Sequence, residues 1–201
     1  MMKDKRANSN NSRGFTLIEL TVTMVIAVIL IVIAVPDFQS TSTTNRTATT
    51  SNEFLMALAM ARNEAIMRGY PVYVCATSNP EAVSPQCSTA NSTNWDDGWL
   101  VMLDEDDDGD LTDQVENPIL VHNGIRDNYS LIGEALIKNR IGFQATGFAM
   151  QAGNIILCGS DVVNFATDKK HARVIVINGT GRTRVFKGNS QAITVNSCIP
   201  A

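Results

Sequence analysis

One acidic side chain interrupts the start of an otherwise unbroken apolar run. Residues 15–35 read FTLIELTVTMVIAVILIVIAV, 21 residues that stop at Val35 before Pro36, and Glu19 is the single charge among them. As a helix this stretch is roughly 30 Å long, about one hydrocarbon thickness. A carboxylate in hydrocarbon is costly and marks function. The run is preceded by a polar leader carrying Lys3, Lys5, Arg6 and Arg13, bases that stay on the cytoplasmic side of a membrane.

The leader does not read as an ordinary secretory signal, which has a shorter apolar core followed by a small-residue cleavage site. Here the small residue, Gly14, lies before the apolar run. Cleavage after Gly14 would leave the helix on the mature chain with a free, positively charged amine on Phe15. Glu19 would then sit one helical turn away. It could offset that amine in its own chain or in a neighbour, which lowers the cost of placing both charges in an apolar setting.

This Gly-Phe-Thr-Leu-Ile-Glu segment resembles the class III signal of type IV pilins and type II secretion pseudopilins. Gly14 falls on that family's cleavage glycine, Phe15 on its N-methylated first residue, and Glu19 on its filament-assembly glutamate. Pro36 falls where many pilins carry a helix-kinking proline. The resemblance implies trimming by a prepilin peptidase at the inner membrane, then packing of the helix among other major and minor pilins.

What remains after leader and span is enough for one modest domain. Residues 40–52, rich in Ser, Thr and Asn, would read alone as a linker; in a pilin-like chain they are expected to form an exposed helical continuation. Over 53–68 the residues Phe54, Leu55, Leu58, Ala61, Ala65 and Ile66 recur at three-to-four spacing, with Arg62, Asn63 and Arg68 on the other side, an amphipathic helix stopped by Gly69 and Pro71. The pattern then becomes β. Short candidate strands cover 71–76, 99–103, 119–122, 130–132, 142–144, 147–150, 154–158, 173–177 and 184–187, with 155–158 and 174–177 the most apolar and expected at sheet centres. The fold class is α+β, a long N-terminal transmembrane/pilin helix followed by an antiparallel two-sheet β domain. This order, with Trp95-Asp96-Asp97-Gly98-Trp99 ahead of the second strand, resembles the FimT/GspH branch of pseudopilins. The expected division is a leader at 1–14, a transmembrane part at 15–36, an exposed helix at 37–69 and a β-rich domain at 70–201.

The four cysteines, Cys75, Cys87, Cys158 and Cys198, all follow the apolar helix and so lie outside the cytoplasm, where disulfides persist. Of three possible pairings, Cys75–Cys87 is favoured because it closes a short local loop, and Cys158–Cys198 would staple the tail to the core. Cys-x-x-Cys spacing and paired histidines, the marks of a zinc site, are missing from the sequence.

The net charge of −4 conceals a segregation. The leader carries four bases against one acid, while from Lys169 to the end there are six bases and no acid. A basic tail on an acidic body is a partner signal. Within it, Gly179-Thr180-Gly181-Arg182-Thr183-Arg184 lies between two apolar runs, and its glycines suggest a hairpin turn. Arg182 and Arg184, two apart, point the same way on an extended segment. Lys187 is near, and Lys169, Lys170 and Arg173 precede the hairpin; pairing of the strands is expected to gather them into one cationic patch. Guanidinium forks match phosphate oxygens and lysine adds point charge, which suffices for sequence-independent binding of double-stranded DNA. The Gly-Arg-Thr-Arg element also resembles the Gly-Arg-x-Arg tail motif of FimT-type minor pilins that capture DNA in natural transformation. That likeness makes Arg182 and Arg184 the leading contacts.

Asp104-Glu105-Asp106-Asp107-Asp108-Gly109-Asp110 matches the first half of an EF-hand loop and then fails, because Val115 occupies the twelfth position. A charged hairpin loop without a metal is the favoured reading; Asp104, Asp106, Asp108 and Asp110 are the ligands if an ion binds. His122 and His171, the only histidines, have no nucleophile motif beside them, and no P-loop or other cofactor site is present. The chain reads as a non-enzymatic, FimT-type minor pilin, inserted once in the inner membrane with its C-terminal domain in the periplasm and then carried to the pilus and cell surface. The alternatives are a GspH-like pseudopilin with a purely structural role in secretion or pilus assembly, and a calcium-stabilised adhesin subunit.

Overall fold

The computed structural model describes residues 14–90, 94–109, 111, 118–125, 129–134, 136–159 and 171–188, with backbone alone at 34–37 and 39. Among the described residues one helix, α1, runs Leu17–Arg68 and is followed by eight strands. The chain divides into two units, Met1–Thr41 and Ser42–Ala201.

In the first unit, Thr16 caps α1. Its Oγ1 accepts the N–H of Glu19 at 3.3 Å and its carbonyl accepts that of Leu20 at 3.2 Å. Thr-x-x-Glu is the capping-box pattern, and an acid in the first turn also complements the helix dipole. Beyond this turn, Leu17, Ile18, Leu20, Val22, Met24 and the run 28–33 are all exposed, as is Phe15 at 84%. An apolar surface of this kind requires lipid or other helices around it. Among the described residues no helix is long and apolar enough to cross a membrane.

In the second unit, α1 lays a narrow apolar stripe on the β domain. Phe54, Ala57, Leu58, Ala61 and Ala65 are buried. Ile66, expected in the stripe, is exposed, and Ala57 takes a place in it. The helix ends at Arg68, ahead of the glycine and proline expected to stop it. The strands are β1 (Val72–Ala76), β2 (Gly98–Leu103), β3 (Leu120–Asn123), β4 (Ser130–Gly133), β5 (Arg140–Phe143), β6 (Gly153–Cys158), β7 (Arg173–Ile177) and β8 (Thr183–Lys187). They form two four-stranded sheets in the orders β3-β2-β1-β5 and β4-β6-β7-β8. Every pairing is antiparallel. The apolar strands β6 and β7 are central, as expected. The segment 147–150 is not a strand. Gly147 N–H bonds the Gln144 carbonyl at 2.7 Å and Gln144 N–H the Phe148 carbonyl at 2.9 Å, which closes a tight turn and leaves one bridge, Ala149 to Phe143.

Strand alternation sorts the core. Val72, Val74, Trp99, Val101, Ile141, Phe143, Leu131, Ile155, Leu157, Ile175 and Ile177 face the helix stripe in one cluster. The opposite faces are covered too: Tyr73, Cys75, Leu100 and Met102 cluster with Leu111, and Ile156 and Cys158 with Ala172 and Val174. Burial on both faces explains why these strands read as continuous apolar runs. Phe54 stands edge-on to Trp95 and Trp99, with ring centroids 5.4 and 5.1 Å apart. The Trp95–Asp96 segment joins the two sheets. Trp95 N–H donates to the Leu131 carbonyl, Asp96 Oδ1 accepts the Leu131 N–H, and Trp95 Nε1 donates to the Lys138 carbonyl at 2.7 Å. Cys75 and Cys87 form a disulfide with Cα atoms 5.5 Å apart, closing a separation of 12 residues. Cys158 is also disulfide-bonded; its expected partner, Cys198, lies outside the described residues.

Candidate functional site

The basic segment forms the hairpin that its sequence suggested. Strands β7 and β8 pair from Arg173 opposite Lys187 to Ile177 opposite Thr183. At the tip, Gly181 N–H donates to the Asn178 carbonyl at 2.8 Å, and Asn178 N–H to the Arg182 carbonyl at 3.0 Å. Gly181 has φ 75°, a left-handed position that suits a turn followed by a bulge.

The tip is clamped from two sides. On one, Arg62 of α1 donates from Nη2 to the Thr180 carbonyl at 3.2 Å. On the other, Ala149 N–H, in the turn before β6, donates to the Gly179 carbonyl at 3.1 Å. A Cβ on Gly181 would lie 2.1 Å from the Gly147 carbonyl oxygen and 3.1 Å from Arg62 Nε. Arg62 Nε is buried without a hydrogen-bond partner. Sequence reasoning placed Arg62 on the outer side of the helix and missed this role. Its i+4 spacing from Leu58 on a buried stripe was the available signal.

Arg182 and Arg184 project from this braced tip and are exposed. Among the described residues, neither side chain makes a hydrogen bond or an ion pair with another. The other predicted cations are not gathered with them. Arg173 is buried at 6% exposure at the far end of β7, and its Nη1 donates to the Ala172 carbonyl at 3.1 Å. It is therefore corrected from a surface contact to an internal residue. Lys187 is exposed but lies three strand positions from Arg184, about 10 Å away and on the opposite face by alternation. Lys169 and Lys170 lie outside the described residues. The hairpin register, which the spacing alone did not reveal, separates what the sequence placed together.

At the other end of the chain, Gly14, Phe15 and Thr16 precede the helix and Glu19 occupies its first turn, all of them exposed. His122 lies in β3 opposite Trp99, stacks on that ring with centroids 3.8 Å apart, and places Nε2 3.3 Å from Glu53 Oε2. Burial, partly opposed by the Leu131 N–H, pushes the Asp96 carboxyl above its ordinary range. Burial also raises the Asp104 carboxyl, helped by neighbouring Asp106 and opposed by the Gly109 N–H. Tyr73 is raised by burial first and then by the Asp104 charge. Asp104, Asp106 and Asp108 converge in the loop after β2, whereas Asp110 lies outside the described residues.

A capped apolar N-terminal helix, a glycine and glutamate at its head, and two antiparallel sheets behind its second half define a pilin-like protein. Residues 50–181 match the family model of the type II transport protein GspH, and residues 9–35 that of the prokaryotic N-terminal methylation motif. The chain belongs to the GspH family and is a minor pilin or pseudopilin of the GspH/FimT kind. Such proteins are structural and non-enzymatic. The methylation motif implies membrane anchoring before assembly, trimming by a prepilin peptidase and association with other pilins. The fold is similar to that of the type IV minor pilin FimU of Pseudomonas aeruginosa strain PAO1 in two crystal forms. The form in space group P21 gives a TM-score of 0.54 at 18% identity, covering 77% of this chain and 96% of that one. The form in P65 gives 0.51 at 17%, covering 76% and 99%. No curated protein sequence matches.

Proposed function

We propose that this chain is a minor pilin of a type IV pilus that binds extracellular double-stranded DNA through the β7–β8 hairpin tip, for uptake in natural transformation. The observation that carries the reading is the state of Arg182 and Arg184. They are two exposed guanidinium groups, two positions apart on a turn that α1 and the turn before β6 hold in place. A preorganised fork of this kind contacts phosphate without first paying to order a loop. Thr180 and Asn178, exposed at the same tip, can add hydrogen bonds to the phosphodiester backbone. Lys187 serves as a secondary cation from the opposite face; Arg173 drops out of the contact set. In this reading residues 1–14 are removed, residues 15–36 hold the chain in the inner membrane as a single pass with the β domain in the periplasm, and Glu19 offsets the amine of Phe15 as the helix enters the filament.

The test uses the full chain in detergent micelles and a labelled duplex followed by fluorescence anisotropy. Wild type should bind at low salt, and the double variant Arg182→Gln, Arg184→Gln should lose most of that affinity while keeping the wild-type circular dichroism spectrum. No binding by wild type at low salt would leave the purely structural role of a GspH-like pseudopilin in type II secretion or pilus assembly.

A further inference from the structure

The connection between β2 and β3 carries a charge arrangement that a solvated hairpin loop does not need. Asp104, directly after β2, is fully buried at 0% exposure, and its backbone N–H donates to the Pro71 carbonyl at 2.9 Å. Of its two carboxylate oxygens, Oδ2 accepts the Gly109 N–H at 3.1 Å, and Oδ1 is buried with no hydrogen-bond partner. Burying a carboxylate oxygen without a partner costs free energy. The surroundings make matters worse, because one oxygen from each of Asp104, Asp106 and Asp108 lies within 4.8 Å of the other two. Nearby like charges disfavour one another, and a bound cation inverts both terms at once.

The donor set is all oxygen, which suits a hard cation. Oxygens each about 2.3–2.6 Å from one ion are separated by at most about 5 Å, so the 4.8 Å spread admits a single ion at the centre. Alternate residues of one short loop supply the three carboxylates. Gly109 follows the third at φ 78°, where the chain needs a residue free of Cβ strain to turn back. We propose that Asp104, Asp106 and Asp108 hold one calcium ion, which fixes the β2–β3 connection. Calcium suits this site better than magnesium because it accepts irregular carboxylate geometry, whereas magnesium demands a near-ideal octahedron and retains its waters. The loop is already tied to β5, since Arg140 Nη1 donates to the Gly109 carbonyl at 2.8 Å. The ion would therefore lock a segment, 104–109, that Gly109 already ties to the same sheet.

The experiment takes the full chain in detergent micelles, stripped with a chelator and dialysed free of it. Calcium or magnesium chloride is titrated by calorimetry, and thermal unfolding is recorded at 10 mM of each. For an extracellular-type site with a dissociation constant of about 0.1–1 mM, calcium should raise Tm by roughly 3–10 °C with one-site saturation. Asp106 and Asp108 are exposed, so the double variant Asp106→Asn, Asp108→Asn should keep its fold and lose the calcium response. A wild type indifferent to calcium, an equal shift in the double variant, or an equal response to magnesium would each overturn the assignment.

Discussion

The clamp on the hairpin tip can be tested with two glycines of the same turn. Gly181 has φ 75°, and an added Cβ would meet the Gly147 carbonyl oxygen at 2.1 Å; Gly179 has open space around the same position. In Gly181→Ala, the left-handed backbone alone costs about 1–2 kcal/mol. The clash is with backbone, so the tip must also move, loosening the Arg62–Thr180 and Ala149–Gly179 hydrogen bonds at about 1 kcal/mol each. The sum is about 3–4 kcal/mol, a fall in Tm of roughly 6–15 °C for a chain of this size. Gly179→Ala should change stability by less than about 0.5 kcal/mol, as surface substitutions away from special features do. Thermal unfolding followed by circular dichroism on the two full-length variants reads the difference. If both behave alike, the tip is not held against the turn before β6, and the claim that the arginines stand on a rigid platform is wrong.

Three further outcomes follow from the core and its ties. Phe54→Ala empties the space between Trp95 and Trp99 and should cost about 3–5 kcal/mol by denaturant unfolding; a loss below about 1 kcal/mol would contradict the placement of that ring. Replacing Cys75 and Cys87 together by Ala opens a loop of 12 residues and should cost about 3 kcal/mol, seen as a lower Tm under non-reducing conditions. Asp96 has a folded-state pKa raised above 3.8, mainly by burial. Its contribution to stability is therefore fully present below that ordinary value and is lost as pH rises through the raised one. Asp96→Asn should abolish this component, so the Tm of wild type minus that of the variant should fall across that window; a flat difference would refute it.

The course of the chain was legible because periodicity is a direct image of burial. The helix stripe, the stop before Gly69, the central strands β6 and β7 and the local disulfide all follow from residues adjacent in sequence. The segment 147–150 misled for the same reason. Its Phe148-Ala149-Met150 run is apolar, yet hydrogen bonds between Gln144, Gly147 and Phe148 close a turn there. The site was harder to read because it depends on register. Arg173 and Lys187 become opposite partners only once the β7–β8 pairing is fixed, and that pairing sends Arg173 inward. Arg62 reaches the hairpin over a separation of 118 residues; its i+4 spacing from Leu58 hinted at an inward position but not at that partner. The acidic loop gave its composition in sequence, but the burial of Asp104 and the orphaned Oδ1 emerge only when β2 is placed beside β1.

The salt dependence of duplex binding addresses the functional reading most directly. Two phosphate contacts release counterions with a slope of about −2 in log K against log salt, roughly a tenfold loss of affinity between 50 and 200 mM. Wild type should show this slope, and each of Arg182→Gln and Arg184→Gln should reduce its steepness by about one. A slope that neither substitution changes, or an isotherm that stays flat at the lowest salt, would mean that the hairpin cations do not face phosphate.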